Sequence, residues 1–455
     1  MKNVFPHSSS FRDSSGNVII KNNRILRAVN KNFKKNYDLL MNSGLYAELV
    51  DKGYLIPHRE IKSKHISFYK IIKPDLIPVV SYPYEWSIDM LHAAARLTLT
   101  IEKIALKYNL TLKDASAFNI QFIGVKPVFI DTLSFTELIP GFPWIAYRQY
   151  CQHFIAPLSL MKYKDLHLGK LSQIFLDGLG LDLTIKLLPL SCYLNFHLFL
   201  NIFLHQKSQQ VFKAKTEVST GKKFSAKNFA NLIDSLLSAL ENLKIKNSQS
   251  NWSDYYRDNN YSRVAFDSKI KIVSSILKSL GPGLLLDLGA NTGLFTRIAS
   301  KFADYSVSFD SDPQSVNLNF KLTQKEKIGN HLPLNIDLVN PSPPIGWQNR
   351  ERSGILERVK ADCVMSLALV HHLYFGNNLT FDRIALFFKS LSKDLIIEFV
   401  PPDDSQITKL IGLRDIDFRL YNENNFISAF RNYFIIKKRI NIQNSGRIIF
   451  HMQQK

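Results

Sequence analysis

A carboxyl-terminal α/β domain on a mostly parallel sheet, preceded by an α+β domain, is the fold this sequence predicts. Three observations carry the prediction. Five short apolar runs between residues 284 and 400 alternate with stretches of helical spacing, the pattern of strands joined by helical crossovers. One of these runs ends in a glycine turn, LLLDLGANTG at 284–293. The region before residue 205 instead mixes alternating segments with amphipathic helices, and 455 residues suffice for two or three cores.

The glycine turn comes first. Three leucines lead into Asp287, and Gly289 and Gly293 open a helix at 294–301. Glycine just past a buried strand lets the backbone turn sharply and approach a ligand, as nucleotide-type cofactor sites require. The second run, 305–309, ends in Asp310, placed to accept hydrogen bonds from both ribose hydroxyls. Asp312 reads as the cap of a helix that begins with Pro313. The third run, 332–336, ends in Asp337, at the expected edge of an adenine ring. The fourth, 362–367, runs into Ala368, Leu369, Val370, His371 and His372, and the fifth, 395–400, carries Glu398. Helical spacing follows at 407–413 and 425–430. Two strands, 433–440 and 447–452, then flank Asn444, Ser445 and Gly446, a hairpin signal.

On these residues the segment 283–400 resembles a class I S-adenosylmethionine-dependent methyltransferase. The chain is also similar over much of its length to host-specific nodulation methyltransferase-like proteins. Asp287, Gly289 and Gly293 match the acidic-Gly-x-Gly-x-Gly loop, with Asn291 where the middle glycine usually stands. Asn is the residue most tolerant of left-handed backbone after Gly. The resemblance implies a Rossmann-like sheet of seven strands that ends in an antiparallel hairpin. It implies S-adenosyl-L-methionine as cofactor, held by Asp287, Gly289, Asn291, Gly293, Asp310 and Asp337. Aromatic residues ahead of the first strand often line the pocket in this family; Tyr256 stands there, with simple packing as the alternative. An NAD site would favour three glycines and a hydride-transfer partner domain, and neither is visible.

Methyl transfer needs a lone pair aligned with the sulfonium methyl group, so the protein supplies orientation and, for an acidic hydroxyl or amine, a base. His371 and His372 stand where substrate meets cofactor in the family, and an unperturbed imidazole titrates near working pH. Glu398 is the third catalytic candidate. Alternatively both histidines cap or pack the next helix. The insert at 339–360 carries Trp347, Arg350 and Arg352, readable as a substrate lid over the carboxyl edge of the sheet or as a solvated loop. SLALVHH replaces the Asp/Asn-Pro-Pro-Tyr motif of nucleic-acid amino-methyltransferases, so a nucleic-acid substrate is not expected. The formal charge of +20, from 58 Lys and Arg against 38 Asp and Glu, is only a weak pointer to an anionic partner.

Residues 1–16 read as a disordered tail and 17–205 as the amino-terminal α+β domain. Alternation at 18–29 predicts a hairpin or single strand; 32–52 and 91–108 have helical spacing. In LKDASAFNIQFIGVKPVFIDTLSF, at 112–135, Asp114 and Asn119 stand five apart and a hairpin about Gly124 delivers Asp131. This spacing resembles the phosphotransfer brace of protein kinases and kinase-like small-molecule phosphotransferases. There the first acid orients the acceptor hydroxyl, and the Asn and second acid hold magnesium. Thr132 and Leu133 replace the usual Phe-Gly, no glycine-rich phosphate loop precedes, and Arg27 is no equivalent of the phosphate-binding Lys. The implied domain is a degenerate kinase-like one.

The stretch 187–204 lacks formal charge but is interrupted by Pro189, Asn195, His197 and Asn201, which predicts a buried helix rather than a membrane span. Residues 206–250 read as a linker and an amphipathic docking helix, and 251–455 as the methyltransferase domain. Cys151, Cys192 and Cys363 have neither metal nor disulfide spacing, and no apolar leader opens the sequence, so a reduced, cytoplasmic setting is expected. The expected function is methyl transfer to a small-molecule or glycan-like acceptor. The alternatives are a phosphotransferase or bifunctional enzyme using Asp114, Asn119 and Asp131, and a non-catalytic S-adenosylmethionine-binding regulator.

Overall fold

Alternating residues near the amino end fold back on themselves as the antiparallel hairpin β1 (Gly16–Lys21) and β2 (Arg24–Val29) in a computed structural model of the protein. The structure describes residues 7, 10–21, 24–62, 67–204, 224–245, 262–411 and 418–455. Two compact units result: Met1–Asn247 with Pro344–Ser353, and Ser248–Pro343 with Gly354–Lys455.

In the first unit β3 (His58–Ile61) and β4 (Lys70–Pro74) complete a sheet of order β1-β2-β4-β3. The helical spacing at 32–52 is realised as two helices, Lys34–Asn42 and Leu45–Asp51, because Gly44 adopts a left-handed φ of 92° between them. Val29, Phe33, Tyr37, Ile72 and Leu133 close a core against this sheet. The helix Ile88–Ala105 is buried along most of its length, including Glu102, whose carboxylate accepts the Thr111 hydroxyl at 2.6 Å and the Leu112 N–H at 2.7 Å. After it, β5 (Leu110–Leu112) pairs with β8 (Phe135–Glu137), and β6 (Ile120–Ile123) pairs with β7 (Lys126–Phe129) across Gly124. The amphipathic helix Ala226–Leu243 packs on Ile88–Ala105 and belongs to this unit, with a His92 ring nitrogen 2.9 Å from the Leu240 carbonyl.

Two expectations are corrected here. Residues 10–16 of the expected tail are held in place: Ser10 accepts the Val18 N–H at 2.8 Å, and Asp13 pairs with Arg27 and Lys113. The stretch 187–204 is not one buried helix. It breaks into a turn Leu190–Leu194, a short helix Phe196–Leu198 and a wide turn Phe199–Leu204, because Pro189 has no N–H to continue the preceding helix and Asn195 caps a new one. Among the described residues no helix is long and apolar enough to cross a membrane.

The second unit is built on β9 (Leu284–Leu288), β10 (Tyr305–Asp310), β11 (His331–Asn335), β12 (Ala361–Ser366), β13 (Ser392–Phe399), β14 (Phe434–Asn441) and β15 (Ile448–Gln454). Their order across the sheet is β11-β10-β9-β12-β13-β15-β14. The first five run parallel, and the hairpin β14–β15 adds itself antiparallel through β15. Both faces of a parallel sheet must be covered. On one face Val273, Ile276 and Leu277 of the helix Arg263–Leu280 meet Leu285, Cys363, Met365 and Ile396 of the strands. The order reverses at β9, between β10 and β12. The carboxyl ends of strands at such a switch point leave the crevice in which α/β sheets bind ligands.

Candidate cofactor and methyl-transfer site

The switch point holds the glycine turn. Gly289, Asn291 and Gly293 adopt φ of 73°, 50° and 72°, three left-handed residues in five. Asn291 therefore has the backbone its position demands. The N–H groups of Gly289 and Ala290 donate to the Phe309 carbonyl at 3.0 and 3.1 Å, tying the turn to the end of β10. A Cβ on Gly293 would lie 2.0 Å from Asn319 Oδ1, and one on Gly289 would press 3.0 Å against Leu369. Bare backbone is thus required at both positions.

Asp310 closes the turn from the neighbouring strand. Its carboxylate accepts the Asn291 N–H at 2.7 Å and the Asp312 N–H at 2.9 Å. Burial raises its pKa, and those N–H groups oppose the shift. Asp287 is buried beneath, takes the Thr296 hydroxyl at 2.5 Å, and is pushed up to about 7 by burial. Asp337 is exposed at the end of the next strand and accepts the Val339 N–H at 2.9 Å. Asp312 caps its helix, as expected. Tyr256 lies outside the described residues.

His371 and His372 follow β12, their ring centroids 4.3 Å apart. His371 is buried at 1% exposure, and neither ring nitrogen meets a hydrogen-bond partner among the described residues. Burial holds it neutral, with His372 and the cations Arg447 and Lys269 acting in the same sense. His372 is half-buried, and its pKa is also lowered by burial. Ala368, three residues before His371, sits at φ 53°, a strained conformation for a residue with a Cβ. Such strain is often stored beside functional groups.

Glu398 does not face outward as a free base. It is fully buried between Lys269 Nζ at 2.7 Å and Arg447 at 3.4 Å, and Arg447 also grips Asp404 at 2.7 and 3.1 Å. Lys269 and Arg447 are the residues that sequence reasoning missed. The signal was present: Lys269 stands on the apolar stripe of Arg263–Leu280, among Ala265, Val273 and Ile276.

Pro344–Ser353 groups with the first unit, not with the sheet it leaves. Arg352 lies over the Phe118 ring at 4.6 Å, Trp347 is exposed, and Arg350 stands exposed beside it. Within this unit Asp114, Asn119 and Asp131 do gather. Asp114 caps a turn through the Ser116 N–H at 2.9 Å; burial, with Asp131 nearby, raises its pKa. Asn119 Nδ2 donates to the Ser134 hydroxyl at 3.3 Å. The Asp131 carboxylate is already engaged by Arg27, the Ser134 hydroxyl at 2.6 Å and the Leu133 N–H at 3.0 Å. Against the effect of burial, these partners hold it below the ordinary carboxylate range. Among the described residues no cluster of three or more His, Cys, Asp or Glu is placed to hold a metal ion.

A five-stranded parallel sheet finished by the antiparallel hairpin β14–β15, with its glycine turn at the switch point, gives the second unit a methyltransferase-like α/β fold. No protein-family model matches the chain. It is 31% identical over 459 residues to nodulation protein NoeA of Rhizobium meliloti (strain 1021), across 98% of this chain and 96% of NoeA. The chain belongs to the NoeA family of nodulation proteins. Among solved structures it is similar to a SAM-dependent methyltransferase from Aquifex aeolicus, with a TM-score of 0.33 and 14% identity over 46% of this chain and 100% of that one. It is similar also to the N-methyltransferase NodS from Bradyrhizobium japonicum WM9, with a TM-score of 0.32 and 8% identity over 42% of this chain and 98% of that one.

Proposed function

We propose that the chain is an S-adenosylmethionine-dependent methyltransferase acting on a small-molecule or glycan-like acceptor. The observation that carries this reading is the run of three left-handed residues beneath Asp310 at the switch point of the sheet. Gly289, Asn291 and Gly293 leave backbone uncovered for a close-lying ligand, Asp310 offers its remaining lone pairs to ribose hydroxyls, and Asp337 is free of the core to meet a base. Asp287 fixes the turn from below through Thr296. When bound, the cofactor supplies an electrophilic methyl group on a sulfonium.

The chain's own task is orientation and proton removal. His371 presents a neutral ring with unmet nitrogens, suited to accept a hydrogen bond from the N–H or O–H of the acceptor and aim its lone pair. Depressed basicity is no obstacle for a hydroxyl acceptor, because the oxonium left by methylation is a strong acid; an amine acceptor attacks as the free base, and the ring then only orients its lone pair. Glu398 is a positioning residue in this reading, held by Lys269 and Arg447 behind the histidines.

Calorimetric titration with S-adenosylmethionine and S-adenosylhomocysteine tests the proposal. Both bind the wild type, and Asp310→Ala weakens them at least about tenfold, the loss of about one charge-assisted hydrogen bond. No binding to folded wild type sinks the reading. The second reading is phosphotransfer in a kinase-like first unit, favoured by the convergence of Asp114, Asn119 and Asp131. It requires magnesium-ATP binding that disappears in Asp131→Ala.

A further inference from the structure

The stretch 187–204 is apolar on two sides. Inward, Cys192, Leu198, Ile202 and Phe203 are buried. Its polar side chains are turned to internal use: Asn195 accepts the His197 and Leu198 N–H groups at 3.1 and 3.2 Å, and Asn201 takes the Tyr147 hydroxyl at 2.9 Å while donating to the His197 carbonyl at 2.8 Å. Outward, Leu190, Leu194 and Phe196 are 83%, 89% and 68% exposed, with Phe199 and Leu204 exposed further along. Scattered surface leucines need no explanation, but seven exposed large apolar side chains in one span, Leu187 and Tyr193 included, do.

Charge indicates what covers them. No residue from 187 to 204 carries a formal charge, whereas a protein interface combines an apolar centre with a directional polar rim. The border is cationic. Exposed Lys186 directly precedes the stretch, and exposed Lys164 lies close enough to Cys192 to act on its thiol. Neighbouring Tyr163 meets the Asn195 amide at 3.4 Å. Among the described residues from 160 to 227, Lys162, Lys164, Lys170, Lys186 and Lys227 stand against Asp165, Asp177 and Asp182. Apolar side chains flanked by exposed Lys164 and Lys186 match a bilayer interface, whose anionic phosphates overlie the acyl boundary.

We propose that this face of the first unit seats on the surface of an anionic lipid bilayer, with Leu190, Leu194 and Phe196 entering the acyl boundary and Lys164 and Lys186 meeting the headgroup phosphates. The attachment is interfacial and reversible, in keeping with the broken backbone of the stretch. It is independent of the methyl-transfer reading.

Co-sedimentation of the full chain with vesicles tests it, using phosphatidylcholine alone and phosphatidylcholine with about 30% phosphatidylglycerol. The chain pellets with the anionic vesicles and binds at least about tenfold more weakly to the neutral ones, or to anionic ones at about 0.5 M salt. The triple variant Leu190→Ser, Leu194→Ser, Phe196→Ser keeps its melting temperature, because these side chains lie outside the core, and loses binding at least about tenfold. Lys164→Glu with Lys186→Glu loses it too, without touching the apolar face. Wild type that ignores both vesicles overturns the proposal. So does a folded triple variant that binds undiminished, equal binding to neutral and anionic vesicles, or a vesicle-free dimer dissolved by the triple variant in place of vesicle binding.

Discussion

His371 is a single side chain on which two demands meet: burial strips it of water, and the described residues give neither ring nitrogen a partner. An unmet buried polar group costs about 1–3 kcal/mol, a cost that the N–H or O–H of an acceptor would offset in the proposed reading. His371→Ala is therefore expected to lower methyl transfer by about 10²–10⁴-fold, the usual worth of a positioned acid–base group, while S-adenosylmethionine titrates as in the wild type. An equal loss of cofactor affinity would assign the ring to cofactor binding instead. A second buried group makes a statement about pH. Glu102 is pushed up to about 8 by burial, opposed by its bonds from Thr111 and Leu112. Its folded value exceeds its unfolded one, so the folded state holds the extra proton. Stability from this site is present below about pH 4.5 and is lost as pH rises toward 8. Melting curves should show Glu102→Gln gaining on the wild type steadily from pH 5 to about 8.5. A constant gap would mean the carboxyl titrates alike in both states.

At the scale of elements, the turn after β9 and the buried ion network behind β13 carry the clearest consequences. Gly293→Ala places a Cβ 2.0 Å from Asn319 in a left-handed residue, so a loss of at least about 2 kcal/mol is expected in denaturant titration, with weakened cofactor binding. Lys269→Met leaves Glu398 buried with Arg447 as its remaining cation and should cost about 3–5 kcal/mol; adding Glu398→Leu should restore much of it. A double variant as unstable as the single would show that Lys269 acts through packing. These two elements also mark what the sequence disclosed. The turn was readable because its signal is local: apolar run, acid and glycines lie within ten residues, and Asp310 and Asp337 end the next two strands. The network was not, because Glu398 meets Lys269 across 129 positions and no periodicity records such a pair. The sequence therefore offers Glu398 without the two cations that hold it. The stretch 187–204 misled for the opposite reason: absence of charge marks burial only if apolar side chains all turn inward, and Leu190 and Leu194 do not. The strand β13 begins three residues earlier than its apolar run, since pairing with β12 carries through Ser392, Lys393 and Asp394 whatever their polarity.

For the whole molecule, each unit closes its own core, so scanning calorimetry should resolve two transitions, of which S-adenosylmethionine raises one. At about 100 times Kd the stabilisation is about 2.7 kcal/mol, and a shift of both transitions together would show that the units melt as one. The first unit is not a continuous stretch of sequence. It is completed by Pro344–Ser353, where buried Glu351 grips Arg12 at 2.7 and 3.1 Å across 339 positions. A ribosome releases the chain from its amino end. Arg12 is made 339 positions ahead of Glu351 and waits until residues 248–343 of the second unit have been translated before its partner follows. The unit begun first is thus finished late, and the order of synthesis is not the order of folding.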